Sequence, residues 1–448
     1  MFANRINKIY GLRGGKRLTV GSTASTRTIF DSTGSRELNI EIVWKHITKE
    51  ELENICYVIA EGEGGQLVKT VHLSDNELGP TSSEKIISAL SASAVQEVLL
   101  CFNDIGREGC DALSDAVNIS VNLRLLDIRG NGLNAKCVNK LLKAVSSSMT
   151  LVRLGLASNK LGEEGAMLVF RALEKNTFLT SLDLSLNEIG PGGAKSIAKL
   201  LEIPDSALKC VQLYGNYLGP SGVAVIALAV RRNRSLKQLT LGNNNATDEA
   251  AVQLAEMLSE NSTLERLDLR LNVITAVGIR TLAQEGLGQN GSLLSLSLAG
   301  NPIGSVGGEE ISQSLILSQV TALSVLDLSS CQLGPTGGMR VANLIATSST
   351  ITDVNLSDNK LDDEASVSIA NSIINGLSIS MLNLSRNEIG EWSACNLIEA
   401  IQRNYRMVSL NLHGNKINRT VQKKIDSLIE DRLNDNNSEH NQWDAPSK

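Results

Sequence analysis

Ser181-Leu182-Asp183-Leu184-Ser185-Leu186-Asn187-Glu188-Ile189-Gly190 decides the reading of the chain, because Val211-Gln212-Leu213-Tyr214-Gly215-Asn216-Tyr217-Leu218-Gly219 repeats it one period later. The shared pattern, L-x-L-x-x-N-x-[L/I], runs through the whole sequence. Its Asn stands at Asn76, Asn103, Asn131, Asn159, Asn187, Asn216, Asn244, Asn272, Asn301, Asn359, Asn387 and Asn415, and Cys331 takes the same place after Leu326 and Leu328. Successive members lie 27 to 30 residues apart, most of them 28. Self-similarity at such a period marks a stacked-repeat solenoid, in which each unit buries its apolar face against its neighbours.

A second column checks the register. Three residues after each Asn or Cys stand Gly79, Gly106, Asn134, Gly162, Gly190, Gly219, Thr247, Thr275, Gly304, Gly334, Asp362, Gly390 and Asn418, all residue types favoured at helix N-caps. The spacing predicts a helix opening there in every unit. Three residues further on, Gly109, Gly165, Gly193, Gly222, Gly278, Gly307 and Gly337 predict close approach to neighbouring helices. Apolar residues then follow at helical spacing, as in Ala194, Ile197, Ala198 and Leu201. A degenerate first unit reads Ile40-x-Ile42-x-x-Lys45-x-Ile47-Thr48, and residues 420–433 read as a closing amphipathic helix with Val421, Ile425, Leu428 and Ile429 inward. The expected organisation is a basic, Ser/Thr-rich segment over 1–37, a repeat domain over 38–433, and a polar, disordered tail over 434–448.

Composition supports a regular core. The 448 residues are 42% hydrophobic but only 3% aromatic, so Leu, Ile, Val and Ala must fill the interior. With 42 basic against 48 acidic residues, the net charge of −6 argues against a general nucleic-acid binder. Seven cysteines, without a C-x-x-C or Cys/His cluster, point to reduced thiols in an intracellular compartment. No run approaches the roughly 18 apolar residues of a membrane helix, and no apolar signal segment opens the chain. Residues 1–30 carry Arg5, Lys8, Arg13, Lys16, Arg17 and Arg27 with no acid. Two readings of them stay open: a mitochondrial presequence with Phe2, Ile6 and Ile9 on one face, or a basic tail, since Gly11, Gly14 and Gly15 interrupt a helix. The expected location is intracellular, cytoplasmic first, with mitochondrial import the alternative.

These motifs resemble the leucine-rich repeat family, in its long, ribonuclease-inhibitor-like class, over residues 38–433. The resemblance implies an α/β solenoid (a horseshoe) of about thirteen regular units plus the degenerate one. Parallel strands would line its concave face and helices its convex face. Chain physics agrees. In Leu182-Asp183-Leu184 the two Leu point into the core and Asp183 to the solvent side. The Asn that follows can satisfy backbone groups of its own turn and the next, making a ladder in which Cys331, a weak donor, is a softer rung.

Chemistry is sparse in this pattern. His46, His72, His413 and His440 are scattered, and Cys101 and Cys210 read as small fillers. No catalytic set, metal site or cofactor is expected. The solvent-facing column between the paired apolar residues runs His72, Leu99, Asp127, Gly155, Asp183, Gln212, Thr240, Asp268, Ser297, Asp327, Asn355, Asn383 and Asn411. Asp in this column has a plain reading as solvated polar surface. Large residues flank it: Phe102, Arg129, Arg153, Tyr214, Tyr217, Arg266, Arg270 and Arg386. Arg and aromatic residues predominate at interface hot spots, so these eight, with Asp183 and Asp268, form the candidate docking stripe.

Two functions follow. The first is a non-catalytic scaffold that grips a protein partner on the concave face, as resemblance to the ribonuclease-inhibitor class implies. The alternative is a GTPase activator for a Ran-like small GTPase, because Val71-His72-Leu73-Ser74-Asp75-Asn76-Glu77-Leu78-Gly79-Pro80-Thr81 is similar to an early repeat of the Ran GTPase-activating family. That family presents an Arg from the preceding loop; here that loop is Trp44-Lys45-His46-Ile47-Thr48, and Arg107 lies in a later one. Neither specific nucleic acid nor membrane is expected as a partner.

Overall fold

The computed structural model describes residues 38–43, 46–61, 67–90, 93–204 and 206–443. They fall into two compact units, one ending at Leu184 and the other beginning at Ser185. The basic residues of 1–30, together with Trp44, Lys45 and 444–448, lie outside the described residues. Strands and helices alternate without exception among those described, fourteen of each, as the repeat demands.

The first unit runs β1 (Leu38–Glu41), α1 (Lys49–Glu61), β2 (Val68–His72), α2 (Gly79–Leu90), β3 (Glu97–Leu99), α3 (Gly106–Ile119), β4 (Leu125–Asp127), α4 (Ala135–Ser147), β5 (Arg153–Gly155), α5 (Gly162–Leu173) and β6 (Ser181–Asp183). The second begins with α6 (Gly190–Leu201), β7 (Cys210–Gln212), α7 (Gly219–Arg232), β8 (Gln238–Thr240), α8 (Asp248–Glu260), β9 (Arg266–Asp268) and α9 (Ala276–Thr281). It continues with β10 (Ser295–Ser297), α10 (Gly304–Leu317), β11 (Val325–Asp327), α11 (Gly334–Thr347), β12 (Asp353–Asn355), α12 (Asp363–Asn375), β13 (Met381–Asn383), α13 (Glu391–Arg403), β14 (Ser409–Asn411) and α14 (Arg419–Trp443). Within each unit, successive strands pair in parallel with equivalent repeat positions opposite, as Leu126 faces Leu154 and Leu239 faces Leu267. One face of every strand is fixed by that register. Leu126, Leu182, Leu239, Leu296 and Leu326 are fully buried.

The Asn ladder explains why the strands from β3 onward are only three residues long. The Asn103 side-chain carbonyl accepts from the backbone N–H of Asn76 at 3.0 Å, while its amide donates to the Leu73 carbonyl at 2.8 Å. Asn131 and Asn159 do the same one and two units on, and Asn216, Asn244 and Asn272 repeat it in the second unit. Each Asn thus ties its own turn to the preceding one, not to the following turn as the sequence suggested. Cys331 breaks the series as its chemistry requires. Its thiol donates to the Leu298 carbonyl at 3.3 Å but has no oxygen to offer, and the Asn301 N–H bonds the Leu298 carbonyl at 3.2 Å.

Helices start in two ways, a division hidden in the N-cap column. In Gly190 and six of its glycine equivalents the backbone is left-handed, φ +65° at Gly190, and the Gly190 N–H bonds the Asn216 carbonyl of the next turn; Gly390 is extended instead. Where the column holds Asn134, Thr275 or Asp362, an extended residue caps the helix with its side chain. Degenerate Thr48 does so too, exchanging hydrogen bonds with Glu51 in a capping box. The small residues three positions on are needed partly for contact within the helix: a Cβ at Gly165 would meet that of Leu161 at 2.5 Å, although at Gly278 it would strike Asp248 of the neighbouring helix.

Extra residues are absorbed at defined points. The 29-residue step from Asn272 to Asn301 turns the end of α9 into a π turn, Leu282–Gly286, and a 3-10 turn, Leu287–Gln289. The last helix continues to Trp443, past residue 433 where its apolar spacing ends and where the sequence suggested a disordered tail. No described helix is long and apolar enough to cross a membrane.

Candidate functional site

Strand residues that alternate with the buried Leu positions lie on one face of each unit. In the first unit that face is dominated by an ion-pair cluster. Asp127 ends β4 and Asp183 ends β6, with Gly155 between them on β5. A Cβ at Gly155 would sit 2.6 Å from the Asp127 carboxylate, so only glycine leaves the gap. Arg129 fills it, placing Nη2 2.8 Å from Asp127 and 3.5 Å from Asp183. The three side chains are 12%, 3% and 8% exposed for Arg129, Asp127 and Asp183. Burial pushes the Asp127 carboxyl up to about 7, against hydrogen bonding from the Arg129 backbone. The Cys101 thiol packed beside it is also driven up by burial.

This arrangement corrects the sequence reading at two points. The sequence offered Arg129 and Asp183 as docking residues; the structure spends both on a buried bridge. It also gave the Asp column a plain reading as solvated polar surface, whereas Asp127 and Asp183 are nearly buried and an Arg long enough to span the Gly gap couples them. Arg153 does remain exposed, next to this cluster on β5.

In the second unit the same device recurs with different chemistry. Gly242 on the loop after β8 separates Tyr214 from Arg270, and the Arg270 guanidinium lies 5.3 Å from the Tyr214 ring centroid. A Cβ at Gly242 would be 3.0 Å from both Tyr214 Cδ2 and Arg270 Cγ. Here the Arg stays half exposed, paired with Asp268 at 3.2 Å. Burial raises the Asp268 carboxyl, with Arg270 opposing. Arg266, at the other end of β9, is exposed and has no ion pair among the described residues. Tyr217 is 73% exposed. Arg386 is exposed too but belongs to the loop after β13, so the structure does not bring it to the Tyr214–Arg270 group.

A column that the sequence reading passed over adds to this face. The residue before each ladder position has left-handed backbone in all thirteen units, φ +53° at Asn243 and Ser330 to +78° at Gly414. Asn, Asp, Ser or Gly fill most of these positions. Phe102, Leu186 and Leu271 are large and apolar, and such residues pay about 1–2 kcal/mol for that conformation. Each lies over a glycine of the next unit: Gly130, Gly215 and Gly300 would put a Cβ within 2.2, 2.5 and 2.7 Å of them. Even so they are 45%, 45% and 51% exposed. The signal was present in the sequence as a large residue before the ladder Asn, with Gly one period later. A second buried column, Asn176, Asn233, Asn261, Asn290 and Asn404, closes the helix ends and is structural; Asn261 donates to carbonyls of Val230 and Asn233.

Other features offer little chemistry. His72 on β2 has its pKa lowered by burial, and His413 follows β14. A groove of about 500 Å³ lies between α1 and α2, lined by Leu52, Cys56, Thr81 and Lys85 among others, but burial raises the Cys56 thiol above its ordinary value. Among the described residues no group of acids, His and Cys could hold a metal ion.

The family model that matches the chain agrees with the repeat. A family model described as Leucine Rich repeat matches residues 175–198, 260–283, 289–312, 321–342 and 347–370. The chain is 30% identical to a ribonuclease inhibitor of Sus scrofa over 154 residues, 34% of this chain and 33% of that protein. It is 30% identical to RAN GTPase-activating protein 2 of Arabidopsis thaliana over 118 residues, 26% of this chain and 22% of that protein. The chain thus spans about a third of the ribonuclease inhibitors it matches. An internalin (inlF) from Listeria monocytogenes superimposes with a TM-score of 0.42 at 18% identity, covering 74% of this chain and 84% of that one.

Proposed function

We propose, from the premise that this chain is a leucine-rich repeat protein of the ribonuclease-inhibitor-like class, that it is a non-catalytic scaffold gripping a protein partner on its strand face. Repeats of this class indicate protein interaction. The observation that carries the finer reading lies in the second unit: half-exposed Arg270 held on Tyr214 across Gly242, with Arg266, Tyr217 and Leu271 exposed in the same unit. Preformed Arg and aromatic side chains lose little entropy when a partner docks. The test is affinity purification from native extract with wild type, Arg266→Glu/Arg270→Glu, and a helix-side control, Lys195→Glu/Lys199→Glu. The reading expects partners kept by the control and lost by the strand-face variant; partners lost only by the control would contradict it.

A second reading, GTPase activation, is favoured by the Arabidopsis relative and by the Val71–Thr81 loop. Arg107, the Arg nearest that loop among those singled out in the sequence, lies in the first turn of α3 and pairs with Asp111 at 3.7 Å. Phosphate release from a GTP-loaded Ran-like GTPase, accelerated by wild type and not by Arg107→Ala, would support it.

A further inference from the structure

We infer that the strand face over β7–β9 takes a protein segment presenting a carboxylate beside an apolar side chain. The inference rests on the scaffold reading and adds the chemistry of the partner. Charge is the first argument. Two cations, Arg266 and Arg270, stand on and beside β9; of the carboxylates there, Glu265 is already paired with Lys237 at 2.8 Å and Asp268 is only 22% exposed. Arg270 is already oriented: Tyr214 lies beneath its guanidinium, and the bare Gly242 backbone leaves room for both. A planar guanidinium fixed on an aromatic face keeps its outer N–H groups available for a carboxylate, with geometry that a lysine would not supply.

The apolar half of the recognition comes from Leu271 and Tyr217. Both hold left-handed backbone, φ +55° in each, and both remain exposed. Left-handed backbone recurs at these two loop positions in other units, where small or polar residues fill most of them; here both carry large side chains that stay exposed. Leu271 follows Arg270 directly, so a carboxylate on the Arg places the neighbouring side chain of the segment against the Leu.

Register along the face follows from repulsion. Two strands of the same unit and the loop after them carry the opposite sign: Asp327 ends β11, Asp353 opens β12, and Asp358 follows it. The Asp353 carboxyl is raised by burial and by Asp327. An acidic segment is therefore disfavoured over β11–β12 and directed to β7–β9.

The test is a library of phage-displayed twelve-residue random peptides, panned on the full chain. Enriched peptides should carry Asp or Glu beside Leu, Phe or Tyr. A fluorescein-labelled winner should lose about tenfold or more in affinity on Arg266→Glu/Arg270→Glu, and several-fold on Leu271→Ser, with thermal melts unchanged. Replacing the winner's acid by Lys should restore binding to the charge-reversed chain. Winners without acidic bias, or winners that bind the charge-reversed chain as well as wild type, overturn the inference. Winners lost only on Asp327→Lys/Asp353→Lys would move docking to the acidic strands, sinking the carboxylate assignment while leaving the scaffold reading. Winners indifferent to both reversals would sink both.

Discussion

Asp127 and Arg270 show how the same repeat position can serve structure in one unit and recognition in another. At Asp127 the carboxyl is pushed up to about 7 from an ordinary value of 3.8, because no water reaches it. The folded chain then keeps a proton that the unfolded chain has released. Asp127's contribution to stability is therefore complete below about pH 4 and is lost as pH rises through about 7. Compared with Asp127→Asn, wild type should lose of order 2–4 kcal/mol of unfolding free energy between pH 4 and pH 8, read from urea titrations at each pH. A difference that stays flat would mean that Arg129 keeps Asp127 ionised throughout. The sequence placed both residues correctly in their columns and still misjudged them. Column membership says which way a side chain points; whether a long neighbour can reach across depends on the residue one unit over, and Gly155 supplied that opening.

At the level of the element, most of the structure was legible because each unit repeats one solution to one problem. The buried Leu pair sets a strand, the Asn ends it, and the cap column opens a helix. Irregularities were legible where chemistry forced them. Cys331 cannot accept through a side-chain oxygen, and the Asn301 N–H has turned to Leu298. Cys331→Asn should restore the missing rung, raising stability by about 0.5–1.5 kcal/mol and slowing exchange of the Asn301 amide. If the melt falls, the cavity has adapted to sulfur and the rung is not softer. The π turn at Leu282–Gly286 was not legible, since a 29-residue step can be absorbed in a loop or in a helix; the step from Asn187 to Asn216 has no such turn. Nor were the two kinds of helix start, because Gly, Asn, Thr and Asp all satisfy the same column while closing the turn by different means.

Across the whole molecule, a repeated core supplies stability from neighbour contacts and leaves the strand face free to vary. The variation is not uniform. In the first unit the face is locked by the Asp127–Arg129–Asp183 bridge; in the second, Tyr214, Tyr217, Arg266, Arg270 and Leu271 stand where a partner can reach them. The most direct measurement of that claim is hydrogen exchange of the full chain with and without a saturating peptide or protein partner. The account predicts protection concentrated in β7–β9 and the loops that follow them, with helices α6–α9 exchanging as before. Protection confined to those helices, with the strands and their loops unchanged, would contradict it.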